Sequence, residues 1–339
     1  MKNKSERILR CGVIGYGGAF NMGNLHLSSL IKNPEVVVTA ICELDPARRA
    51  VAQKDWPGAK VYGRVAEMLR PGDLDLVTII TPHNTHAPIA VQCLSAGVNA
   101  ICEKPMAISS KEVKAMMAAA RRGKVMLSTF HNRRWDGDFV LLRDLVQKEG
   151  WIGRVFRIEA GFSGYGPQGN WWRADRKISG GAIYDWGAHF TDWILNLVPD
   201  PIDWVSGYQV KNPEWTRYSN EDHSEYTLRF KGGAVATLSI SNLSMSPKPR
   251  WRILGEQGSI EDVGGKFLVK SLVKGRQAST EVAFPKSDWD AYYQNVFKHL
   301  RGKEKLVITA ASAARVIGVL EAANVSAARG GQPVKPAFV

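Results

Sequence analysis

Short, mostly apolar runs separated by helical patterns constrain this chain more than any other feature. Leu9 to Ile14, Val36 to Cys42, Leu76 to Ile80, Val98 to Cys102 and Val125 to Phe130 each have strand length. A strand with no polar alternation is one covered on both faces, as in a parallel sheet. Between the runs lie helical patterns: Leu25, Leu27, Leu30 and Ile31 after the first, Pro88 to Ala96 after the third, and Ser109 through Arg121 after the fourth. This alternation over residues 8–130 predicts a doubly wound parallel sheet with right-handed crossovers. Such sheets bind their ligands beyond the carboxyl ends of the strands. The residues that follow each run are therefore the ones to read for chemistry.

Gly15-Tyr16-Gly17-Gly18 follows the first run and precedes a helix, which is the context of a dinucleotide-binding turn. The first glycine permits a tight turn. The second lets the backbone approach a pyrophosphate, whose charge the helix N-terminus meets. Phe20 stands where a third glycine is expected, and Gly23 arrives three residues late, so a longer loop is expected. The second run ends in Glu43, placed to accept hydrogen bonds from ribose hydroxyls. No arginine follows it directly, so a 2′-phosphate would meet repulsion; NAD is expected in preference to NADP. Asp45-Pro46 reads as a helix cap.

The third run ends in Thr81-Pro82-His83-Asn84-Thr85-His86. A loop here would pass over the cofactor, with His83 in reach through backbone or ring and His86 capping or packing against the next helix. The fourth run leads to Glu103-Lys104-Pro105. A lysine between a carboxylate and a proline at a strand end is a poised charge rather than a solvating one. Ser109 and Glu112 have capping-box spacing and open the helix that follows.

After His131 the period changes. Phe139 to Lys148 is helical, and Val155 to Phe162 alternates as a strand. Residues 163–179 are rich in Gly, Trp and Arg and read as a loop near a cleft. Trp171-Trp172 could stack on a sugar face or shield a nicotinamide, or simply anchor the loop. In Gly180 to Asn196, Trp186, Phe190, Trp193, Ile194 and Leu197 form an apolar stripe. Asp185, His189, Asp192 and Asn196 form a polar stripe beside it, so Asp185 and His189 would sit one turn apart on one helix. No third and fourth ligand at sensible spacing completes a metal site. Short strands fill Trp204 to Val282 and predict a mostly antiparallel sheet, closed by helices over Trp289 to Leu300 and Ala310 to Ala328.

The chain's 339 residues fit roughly two domains, read as 1–131 and 132–339. No apolar run approaches the length that spans a bilayer, and the polar start, Met1 to Arg10, does not read as a secretory signal. The four cysteines lie in the first third at no zinc spacing; they read as reduced core thiols of a cytoplasmic protein. The net charge of +13 is dispersed as pairs such as Arg48-Arg49, Arg121-Arg122 and Arg133-Arg134. With no nucleic-acid motif beside it, this reads as a surface that attracts anionic small molecules, not nucleic acid.

Taken together, these residues resemble the glucose–fructose oxidoreductase and inositol dehydrogenase family (Gfo/Idh/MocA) over nearly the whole chain. The resemblance rests on Gly15 to Gly18, Thr81-Pro82 with His86, Glu103-Lys104-Pro105, and Gly180-Gly181 followed by Asp185, Gly187, His189 and Asp192. Gly255-Glu256-Gln257-Gly258 and the ending from Thr309 to Gly330 also match, while Phe20 departs from the pattern. It implies an N-terminal Rossmann domain with a doubly wound parallel sheet. It also implies a C-terminal α/β domain with a large open, mostly antiparallel sheet, whose outer face commonly forms a homodimer or homotetramer.

Carried over by position, Lys104 matches the active-site lysine, Asp185 the substrate carboxylate and His189 the acid/base. Gly15, Tyr16, Gly17, Gly18, Glu43, Thr81, Pro82, His83, His86, Glu103, Lys104, Trp172 and Arg173 are the expected cofactor contacts. The implied activity is NAD(P)-dependent oxidation or reduction of a secondary alcohol on a sugar, inositol or related polyol. Two alternatives stay open: an NAD-dependent glycosidase that works by transient oxidation, and a non-catalytic sensor that binds NAD and a sugar.

Overall fold

A computed structural model describes residues 7–339; part of the polar start lies outside the described residues. The chain forms two compact units, Met1–His131 with Asp290–Ala313, and Asn132–Trp289 with Ala314–Val339. The first stretch runs β1 (Leu9–Ile14), α1 (Met22–Leu30), β2 (Val36–Cys42), α2 (Pro46–Asp55), β3 (Lys60–Tyr62), α3 (Val65–Leu69), β4 (Leu76–Ile79), α4 (His83–Ser95), β5 (Asn99–Cys102), α5 (Ser110–Gly123) and β6 (Leu127–Thr129). The second runs α6 (Gly137–Arg143), β7 (Val155–Ser163), α7 (Arg176–Ser179), α8 (Trp186–Leu197), β8 (Ile202–Val210), β9 (His223–Phe230) and β10 (Val235–Ser241). It continues through β11 (Trp251–Gly255), β12 (Gly258–Asp262), β13 (Lys266–Val273) and β14 (Arg276–Ala283). The helices α9 (Asp290–Leu300) and α10 (Ala310–Ala328) close the chain.

In the first unit the strands lie in the order β3-β2-β1-β4-β5-β6, and every pair is parallel. The core strand β4 is buried on both faces, as its apolar run requires. Chain order reverses between β1 and β4, so the carboxyl ends of these strands flank the crevice where such sheets bind nucleotides. The expected helix caps form: the Asp45 carboxylate accepts from Ala47 N at 2.8 Å, and Ser109 Oγ accepts from Glu112 N at 3.3 Å.

The expected division at 131 and 132 needs one correction, because Asp290–Ala313 belongs to the first unit. The cause is packing. The Tyr293 hydroxyl meets His26 Nδ1 at 2.6 Å, and the Tyr292 hydroxyl meets Ser128 Oγ at 2.9 Å. Phe130 lies edge-on to both His26 and Tyr292. The apolar side of α9 thus completes the core beside β6.

The second unit holds an eight-stranded sheet in the order β14-β13-β12-β11-β7-β10-β9-β8. Only β7 and β10 pair parallel; the other pairs are antiparallel. Residues alternate along β9 between buried and half-buried, the signature of a sheet covered on one face. Phe190 and Trp193 of α8 pack on Trp251 of β11 and form part of that cover.

All four cysteines are buried and free. Burial pushes the thiols up, to about 11 for Cys42 and about 12 for Cys93, so they stay protonated and unreactive near neutrality. Among the described residues no helix is long and apolar enough to cross a membrane, and no cluster of His, Cys, Asp or Glu is arranged to hold a metal ion.

Candidate active site

The glycine turn of the first unit assigns a separate duty to each glycine. Gly15 has φ +104°, and a Cβ there would lie 2.1 Å from the Ile80 carbonyl oxygen. Only glycine lets the end of β1 pass the end of β4 so closely. A Cβ at Gly23 would lie 2.6 Å from the Tyr16 ring, so α1 seats directly on the turn. Gly23 therefore performs the packing task expected of a third glycine. Phe20 sits in the longer loop with 57% of its surface exposed. A Cβ at Gly17 would meet nothing within 4 Å. That is the open side of the turn, and it fits a dinucleotide whose pyrophosphate approaches backbone N–H groups.

The Tyr16 side chain is buried, and its hydroxyl donates to Asp55 Oδ2 at 2.9 Å. Burial and that bond push its pKa up to about 12, so the ring is a structural prop. Glu43 Oε2 accepts from Tyr16 N at 2.6 Å and Oε1 from Asp45 N at 2.9 Å. Both oxygens still have lone pairs for ribose hydroxyls. Arg48 of α2 donates through Nε to the Tyr16 carbonyl at 2.9 Å, and its Nη1 lies 3.3 Å from where a Gly18 Cβ would be. A carboxylate and a guanidinium thus bracket Tyr16. The local charge is more balanced than the residues next to Glu43 in sequence suggest.

His86 stands between the segments that follow β4 and β5. This fully buried ring lies in the second turn of α4, not ahead of the helix as expected, because α4 starts at His83. Its Nδ1 is 2.8 Å from the Pro105 carbonyl and its Nε2 2.7 Å from the Thr81 carbonyl. Burial pulls the imidazole below its ordinary pKa against those two carbonyls, which favour its charged form. His83 is buried at the helix start, while Thr81 and Pro82 are half-buried. Thr81 Oγ1 accepts from Thr85 Oγ1 at 2.7 Å.

Glu103 turns inward. Its Oε1 lies 2.9 Å from His26 Nε2, and its Oε2 accepts from Lys104 N at 2.9 Å. Burial alone would raise this carboxyl; the His26 hydrogen bond and the neighbouring Lys104 charge overcome it and hold Glu103 below the ordinary range. Lys104 is half-buried, and its peptide bond to Pro105 is cis.

In the second unit the expected polar stripe divides. Asp185 is not on the helix: it precedes α8 with φ −81° and ψ −90°. The Gly180-Gly181 turn, with φ of +90° and +124°, breaks the helical path before it. Arg173 Nη1 donates to Asp185 Oδ1 at 3.2 Å and lies over the rings of both Trp171 and Trp172. The tryptophan pair, Arg173 and Asp185 therefore form one cluster. His189 is buried on α8, edge-on to Trp186 and stacked on Trp193 at 6.0 Å. Asp192 points elsewhere: it takes a bidentate pair of bonds from Arg134 at 2.7 and 2.6 Å in a buried setting.

Sequence reading missed His26, Arg48 and Arg134. His26 looked like an ordinary helical residue, and Arg48 and Arg134 like halves of surface basic pairs. Their partners lie far away in sequence, so only Arg48, inside a helix capped by Asp45, left a local signal.

Residues 9–131 match the family model described as oxidoreductase family, NAD-binding Rossmann fold, and residues 139–261 match the GFO/IDH/MocA C-terminal domain. The chain belongs to the GFO/IDH/MocA family. Within it, the chain is 24% identical to the scyllo-inositol 2-dehydrogenase (NADP(+)) IolW of Bacillus subtilis, over 93% of this chain and 92% of that protein. It is 26% identical to the myo-inositol 2-dehydrogenase of Thermotoga maritima over 74% of each. The fold matches the WlbA dehydrogenase of Bordetella pertussis, solved with NADH and UDP-GlcNAcA, at a TM-score of 0.81 and 23% identity, covering 97% of this chain and 99% of that one. As a GFO/IDH/MocA oxidoreductase the chain is an enzyme with an NAD-binding Rossmann domain.

Proposed function

We propose that the chain is a dehydrogenase that exchanges hydride between NAD and a secondary alcohol of a cyclic sugar or polyol. One observation carries the reading: the Glu103 carboxylate, anchored by His26, fixes Lys104 at the carboxyl end of β5, in a sheet whose glycine turn is open at Gly17. The inositol dehydrogenases among its relatives support the substrate class.

Bound nicotinamide supplies the hydride acceptor. Gly17 and the N-terminus of α1 hold the pyrophosphate, and Glu43 holds the ribose, which favours NAD. Trp172 and Arg173 serve as further cofactor contacts. Lys104 hydrogen-bonds the reacting oxygen and stabilises developing alkoxide charge. His189 takes the hydroxyl proton, since imidazoles titrate near neutrality. Asp185 holds a neighbouring hydroxyl, a task its half-buried position before α8 suits better than orienting the buried ring. The buried free thiols fit a cytoplasmic setting, and the half-exposed face of the β8–β14 sheet fits a homodimer or homotetramer.

The test is absorbance of reduced nicotinamide while inositols, hexoses, sugar acids and glycosides are screened with NAD and NADP. Reduction by a polyol or sugar supports the reading. Glycoside cleavage without net reduction points to redox-assisted hydrolysis, and tight binding with neither reaction points to a sensor; each would overturn it.

A further inference from the structure

The long segment that carries Trp171, Trp172, Arg173 and Asp185 has little regular structure, yet it is clasped from below. Asn220 and Glu221, in the connection between β8 and β9, are both buried. Asn220 Nδ2 donates to the Arg173 carbonyl at 2.7 Å, and its Oδ1 accepts from Ser179 Oγ at 3.1 Å. Glu221 Oε2 accepts from Arg176 Nη1 at 2.8 Å, and Oε1 accepts from Ile183 N at 3.2 Å. Gly181 is pressed against the same carboxylate: a Cβ there would lie 3.1 Å from each Glu221 oxygen, at φ +124°.

A buried carboxylate is costly unless its oxygens are bonded. Here one oxygen holds a backbone N–H of the turn at 182–184, and the other holds the guanidinium of α7 just before it. That turn directly follows Gly180 and Gly181, and glycine gives up the most backbone freedom on ordering. It leads directly into Asp185 and α8. We propose that Glu221 is a positioning residue: it freezes the glycine turn and so sets where Asp185 stands and how α8 presents His189. The proposal rests on the reading of Asp185 and His189 as reacting groups.

The test uses the full chain with Glu221→Ala, Glu221→Gln and Gly181→Ala. The glutamine retains an acceptor for Ile183 N and should be mild. The other two remove the clasp from opposite sides and should agree. Amide hydrogen exchange across 180–189 should quicken at least about tenfold in Glu221→Ala, while β9 and β10 keep their protection. With myo-inositol or scyllo-inositol as the probe, kcat should fall at least about tenfold while the dissociation constant for NADH stays within about twofold. Unchanged exchange overturns the clasp. Faster exchange with unchanged kcat overturns the positioning role. Wild-type protein that oxidises neither inositol counts against the proposed substrate class, and the exchange result still decides the clasp.

Discussion

Glu103 and His26 face each other at 2.9 Å inside the first unit. The depressed carboxyl is ionised near neutrality and can only accept, so His26 Nε2 carries the proton. Burial raises the Tyr293 hydroxyl well above its ordinary pKa, so it can donate to His26 Nδ1, and Thr78 Oγ1 lies 3.3 Å beyond it. A chain of hydrogen bonds thus runs from α9 through α1 to the backbone of Lys104.

This chain has a pH signature. The folded carboxyl lies below its unfolded value, so in that window the unfolded state binds more protons. Its stabilisation is complete above the ordinary range near pH ~4.3 and is lost as pH falls through the folded value. Glu103→Gln should cost about 1–3 kcal/mol near pH 7. Its Tm should also fall less steeply than wild type between about pH 5 and 3. Parallel Tm curves for the two proteins would remove Glu103 from this role.

The turn glycines should separate fold from ligand. Gly15→Ala drives a Cβ into the Ile80 carbonyl at positive φ and should cost more than about 3 kcal/mol. Gly17→Ala faces open space and should change stability by less than about 1 kcal/mol. It should nonetheless weaken NADH about tenfold if the backbone receives a pyrophosphate there. Thermal unfolding and energy transfer from tryptophan to bound NADH measure the two effects.

Lys104→Ala and His189→Ala should each lower turnover at least about 100-fold. NADH binding, read by the same energy transfer, should survive in both. Near-normal turnover in both variants would refute the assigned roles.

Asp192→Ala leaves the Arg134 guanidinium buried without its carboxylate and should cost about 3–5 kcal/mol. The paired change Arg134→Met with Asp192→Leu removes both charges and should recover much of that loss. A single variant that melts like wild type would show that the pair is solvated in solution.

The parallel sheet was legible because β4 and β5 are short, mostly apolar runs whose ends carry unusual residues. The outer strand β14 was not: nearly every residue on it is exposed, so no apolar pattern marks it. β3 is only three residues long. Asp185 was assigned to the helix because the spacing to His189 is helical, and the positive φ of Gly180 and Gly181 is invisible to periodicity. The neighbours of Lys104 and His189 in sequence marked those two as candidates. Glu221 and His26 had no such mark, because burial and distant partners give them their meaning.

The tyrosines of α9 carry a consequence for how the protein is made. His26 waits for Tyr293, which leaves the ribosome long after every strand of the parallel sheet. The nucleotide-binding half therefore cannot finish its core during synthesis until the other half has almost entirely emerged. A fragment ended at His131 would be missing that partner.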